Sequence, residues 1–178
     1  MKETKKLTLS SIAVALGVVF MVIGAVFEPL DLAACCLSSV LVLFVYIEVG
    51  RPYTYLTWLA TSLITFLIYP SSNMWAMYLL VFGLYPIVKG CIERAPRAVW
   101  WWLKLLFGGV SMTGLFLILT FFLGVKMDEG FFGLPMPAVY ALTAVLGAVC
   151  FVLYDIYLTA AAGVYETKLR GKIKNILK

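Results

Sequence analysis

Apolar residues along this chain gather into six long runs, at about 8–27, 31–50, 53–70, 74–93, 99–125 and 136–164. An α-helix needs roughly 20 residues to cross a hydrocarbon layer about 30 Å thick, and each run is near or above that length. The breaks carry turn chemistry: FEPLD, GRPY, YPSSN, ERAPR and the longer KMDEGFFGLPMP. Pro52, Pro96 and Pro137 fall at or near helix entries, where a missing N–H costs least. The pattern predicts an all-α polytopic membrane protein, a single domain over residues 1–178 with six transmembrane helices.

Composition strengthens that reading. The 178 residues are 63% hydrophobic and 13% charged, with a mean hydropathy of +1.02. A water-soluble domain has no way to hide so much apolar surface. The apolar run from Leu9 to Phe27 is too long for a secretory signal and is not followed by a small-residue cleavage site, so it is expected to stay as the first helix.

The charge then orients the bundle. With the N-terminus in the cytoplasm, Lys2, Lys5, Lys6, Arg51, Lys89, Arg94, Arg97, Lys104, Lys168, Arg170, Lys172, Lys174 and Lys178 all fall on that side, and of the 14 basic residues Lys126 alone falls outside. Positive residues concentrate on the cytoplasmic flank of membrane helices, so both termini are expected to be cytoplasmic and the number of spans even. The same placement makes membrane lipid, and not nucleic acid, the partner of the net +5 charge. The expected location is the cell membrane.

Faces of the helices hold the candidate chemistry. Ser10, Ala13, Gly17 and Gly24 share a line on helix 1, and Ala13 with Gly17 forms a small-x-x-x-small pair. Such faces let helices approach closely in lipid, either within this chain or against a partner subunit. On helix 4, Trp75, Tyr78, Phe82, Tyr85 and Lys89 recur at spacings of three and four. That stripe reads either as core packing with an interfacial belt or as the wall of a pocket opening outward at Trp75 and Tyr78. Pro86 interrupts the same helix, where it removes a backbone donor.

Asp155 sits on the small-residue side of helix 6, and a carboxylate within a span is expensive. At about 1.5 Å per residue Asp155 is roughly 27 Å from the outer end of its helix and Lys89 roughly 22 Å from the outer end of its own. The similar depths make a Lys89–Asp155 ion pair one expectation. Snorkelling of Lys89 to the cytoplasmic surface is the other. The four cysteines lie inside apolar runs and read as buried small hydrophobes. With no histidine, no nucleophile elbow and no phosphate-binding glycine loop, neither an enzyme nor a metal site nor a cofactor is expected.

The start KKLTLSSIAVALG, together with the length, the six helices and the inward termini, resembles the substrate-binding S components of energy-coupling factor transporters. The motif is confined to helix 1, and glycine at 17 departs from the alanine common in that family. The resemblance implies that Ala13 and Gly17 contact a transmembrane coupling subunit, and that a separate ATPase module energises uptake. It also implies that a vitamin or similar micronutrient binds near the outer surface. Trp75, Tyr78, Asp128, Glu129, Phe131 and Tyr140 are the candidate positions there. Lack of histidine disfavours the nickel and cobalt members. The alternative function is a non-transporting scaffold that binds other membrane proteins through its small-residue faces.

Overall fold

The computed structural model describes residues 3–94, 96–121 and 136–169. Six helices account for nearly all of them: α1 (Glu3–Val26), α2 (Asp31–Glu48), α3 (Arg51–Ile68), α4 (Met74–Ile92), α5 (Arg97–Phe121) and α6 (Met136–Val164). A 3₁₀ turn, Glu28–Leu30, leads into α2, and a π-helical turn, Tyr165–Leu169, extends α6. Among the described residues there is no strand. By length and hydropathy four described stretches are fit to cross a membrane: Glu3–Val26, Asp31–Glu48, Met74–Ile92 and Gly147–Lys168.

The helices lie where the apolar runs place them, with ends shifted by local polar bonds. α1 begins five residues before its apolar run because its polar start is itself helical. Lys6 pairs with Glu3 at 2.7 Å, and Thr8 Oγ1 donates to the Thr4 carbonyl at 2.9 Å. Between α2 and α3 only Val49 and Gly50 remain. Gly50 has φ +107°, a left-handed value that a side chain disfavours, and Pro52 follows in the first turn of α3. α1 packs on both α2 and α3, and α4 runs through the interior against α2, α3, α5 and α6.

Polarity is distributed inside out. On α3 the buried positions are Thr54, Thr57, Thr61, Ser62 and Thr65, whereas Leu56, Leu59, Leu63, Ile64, Leu67 and Ile68 face outward. A helix of a water-soluble bundle carries the opposite arrangement. Hydroxyls of Thr54, Thr57, Ser62 and Thr65 donate to the carbonyl four residues earlier at 2.8–2.9 Å, which satisfies them without a second helix. α1 follows the same rule. It buries Ser10, Ala13, Gly17, Met21 and Gly24 and exposes Leu7, Ile12, Leu16, Val19 and Ile23.

The cysteines differ from expectation. Cys35 alone is fully buried, with its thiol 3.9 Å from Met21 Sδ, and Cys36 is half-buried. Cys91 and Cys150 are exposed. An apolar run says that a residue suits a nonpolar medium, and the outer surface of this bundle is as apolar as its core.

Candidate functional site

The site is built around an irregular α4. Its first turn, Met74–Met77, passes into a π-helical turn, Tyr78–Phe82, and α-helix resumes at Tyr85–Ile92. Within the π turn the Gly83 N–H bonds the Tyr78 carbonyl at 2.7 Å instead of the Leu79 carbonyl of a regular α-helix. The indole of Trp58 on α3 donates to Leu79 O at 3.1 Å. One turn further on, Pro86 has no N–H to offer Phe82 O, and the Tyr154 hydroxyl on α6 donates there at 2.6 Å. Carbonyls freed in a nonpolar interior need such partners. Gly83 makes the first approach possible, since a Cβ there would stand 2.5 Å from Trp58 Cδ1.

Below the proline, α4 turns Tyr85 and Lys89 toward Asp155. Lys89 Nζ pairs with Asp155 Oδ1 and also donates to the Asp155 backbone carbonyl at 3.1 Å and to Thr159 Oγ1 at 2.6 Å. The Tyr85 hydroxyl donates to Oδ1 at 2.7 Å, and Lys104 on α5 pairs with Oδ2 at 2.5 Å. The side chains of Lys89, Lys104 and Asp155 are only 6%, 13% and 15% exposed. Glu93, one turn past Lys89, stands 3.5 Å from it at the exposed edge. Rings of Phe107, Phe151 and Tyr154 surround Tyr85 at centroid distances of 4.8–5.6 Å. Both carboxylate oxygens are therefore bonded. That matters because a buried pair is tolerated only when its remaining lone pairs are satisfied.

A second polar centre lies nearer the other end of α4. Ser38 of α2, Thr61 of α3 and Tyr78 of α4 bring their hydroxyls together, all fully buried. Neither Thr61 Oγ1 nor the Tyr78 hydroxyl closes a hydrogen bond of ordinary geometry. Ser38 Oγ donates weakly to the Gly17 carbonyl at 3.4 Å. A Cβ on Gly17 would meet Ser38 Oγ at 3.0 Å and Thr61 Cγ2 at 3.2 Å, so α1 lies close over these groups at the glycine.

The structure brings Lys89 and Asp155 together and separates other candidates. Ala13 and Gly17 are buried, Gly17 against α2 and α3. At Gly17 the close approach is made by the chain's own α2 and α3. Trp75 and Tyr78 are buried in two different parts of the core. Trp75 donates from Nε1 to the Pro70 carbonyl at 3.2 Å and packs edge-on to Phe66 at 4.8 Å. Tyr78 joins the main core with Met21, Cys35 and Val42. Asp128, Glu129 and Phe131 lie outside the described residues. Tyr140 falls on α6, and its side chain is likewise outside them.

Sequence reasoning gives no role to Lys104, Tyr154 or Thr159. It counts Lys104 among the flanking charges. Yet Lys104 sits seven residues into α5, roughly 10 Å along the axis, and the same depth estimate applied to it points toward Asp155. No protein-family model, curated protein or solved structure matches the chain. Fold and site together define an all-helical protein with several helices apolar enough to cross a membrane and an ionic cluster held inside the bundle.

Proposed function

We propose that the chain is a six-span membrane protein with both termini cytoplasmic, acting as the solute-binding membrane subunit of an uptake system whose ATPase is a separate chain. The observation that carries the reading is the polar line along the buried face of α4. It runs from Tyr78 with Ser38 and Thr61, through Tyr85, to Lys89 with Asp155 and Lys104. Hydroxyls and charges inside an otherwise lipid-facing bundle are costly, and their usual service is a solute or ion pathway. The resemblance of the α1 sequence to S components supports the same class and implies a vitamin-like solute entering from the outer side. Hydroxyls of Tyr78, Thr61 and Ser38, buried on that line, would then supply the polar groups that set specificity, with the flanking aromatic side chains supplying apolar area. A coupling subunit would use another surface, since Ala13 and Gly17 are already covered.

Native mass spectrometry of the protein purified in mild detergent tests this reading. A retained small molecule, with co-purified ATPase and coupling subunits, is the expected result. Recovery of unrelated membrane proteins with no bound solute would replace the reading by the scaffold alternative.

A further inference from the structure

Lys104 has donors that Asp155 does not use. An ammonium carries three N–H groups, and among the described residues the single ion pair of Lys104 is to Asp155 Oδ2 at 2.5 Å. Lys89, in contrast, is committed to the Asp155 carboxylate, the Asp155 backbone carbonyl and Thr159. Asp155 has no oxygen left over, because Oδ1 is taken by Lys89 and Tyr85. Two ammonium groups thus share one enclosed carboxylate. Glu93 approaches Lys89 from the exposed edge, with its side chain 40% exposed, and does not reach Lys104. The Lys104 side chain keeps 13% of its surface open, and Trp101 and Trp102, both well exposed, precede it on α5. Exposed tryptophans mark the headgroup level of a bilayer.

We propose that the open side of Lys104 binds an oxyanion, a phosphate or carboxylate group, as a counter-ion beside Asp155. Glu93 answers Lys89 at the exposed edge, so Lys104 is the cation that an incoming anion meets. The Asp155 carboxylate holds Lys104 extended and partly desolvated, which strengthens a charge-assisted bond to the incoming oxygen. Two sources offer this chemistry: the phosphodiester of an acidic lipid headgroup and a free anion in solution. Basic side chains between helices near a cytoplasmic surface are suited to the first. The inference rests on the charges of the cluster and not on transport, so its failure leaves the retained-solute test standing.

Thermal unfolding of the full chain, followed by tryptophan fluorescence in a neutral detergent at constant ionic strength, tests it. Phosphatidylglycerol is compared with phosphatidylcholine in mixed micelles, and inorganic phosphate with chloride. Binding to the folded state raises Tm, so wild type and Lys104→Arg are expected to gain a few degrees and Lys104→Gln to gain none. A gain with phosphatidylglycerol alone assigns the lipid; a gain with phosphate, with or without the lipid effect, assigns a free anion. No anion-specific gain in wild type overturns the proposal, whether or not Lys104→Gln folds. So does an undiminished gain in Lys104→Gln.

Discussion

At the scale of single residues, Pro86 is the informative one. It takes a donor from Phe82 O, and Tyr154 replaces it from another helix at 2.6 Å. Removing one partner of a buried hydrogen bond costs about 1–3 kcal/mol when the other is left unsatisfied. Tyr154→Phe is therefore expected to lower stability by about that much, measured by thermal unfolding in detergent. The same change made in a Pro86→Ala background is expected to cost less, because the alanine brings back an N–H for Phe82 O. Equal costs in the two backgrounds would show that the Tyr154 hydroxyl matters for some other reason. The proline and its missing donor are legible in the sequence. Its replacement is not, since nothing in a linear pattern says which hydroxyl of a helix some seventy residues away will arrive.

At the scale of elements, glycine decides how closely helices meet. On α1, a Cβ at Gly24 would stand 2.6 Å from Ala34 Cβ and 2.5 Å from Met74 Cε. The methionine can move; the alanine is fixed to its backbone. Gly109 on α5 has nothing within 4 Å. Gly24→Ala is expected to destabilise by about 1–3 kcal/mol through overpacking. Gly109→Ala is expected to be neutral or to stabilise by up to about 1 kcal/mol through helix propensity. Unfolding midpoints of the two variants check the pair, and a Gly24→Ala protein as stable as wild type would mean that α1 and α2 do not meet this closely. The small-residue line of α1 is legible as a surface of close approach. Its partner is not, because spacing identifies a face and not what lies against it. The hydroxyl face of α3 escapes sequence reasoning for a related reason: Thr54, Thr57, Thr61 and Thr65 look like interruptions of an apolar run, and become a pattern only once lipid is taken as the outer solvent.

At the scale of the whole molecule, two consequences follow from a bundle with an apolar exterior and a charged interior. The first concerns orientation. With six spans, thirteen of the 14 basic residues fall on the side that carries both termini, and the positive-inside rule expects that side to be cytoplasmic. Tags at the two ends are then expected to be protease-accessible in inside-out vesicles and protected in right-side-out ones. Tags found on opposite sides would require an odd number of spans.

The second concerns the ionic cluster, whose existence is half legible in the sequence. Similar depths along two helices point to Lys89 and Asp155. Depth alone gives no azimuth, so it leaves snorkelling open and does not tell a flanking Lys104 from a third member of the cluster. The most direct measurement is the stability of Asp155→Asn alone and combined with Lys89→Met. Breaking an enclosed pair by removing one member costs about 3–5 kcal/mol, much of it from the charge left behind, whereas removing both members is far less damaging. The expected result is a strongly lowered unfolding midpoint for Asp155→Asn and partial recovery in the double variant. Asp155→Asn as stable as wild type, or a double variant less stable than Asp155→Asn alone, would contradict an ion pair enclosed within this bundle.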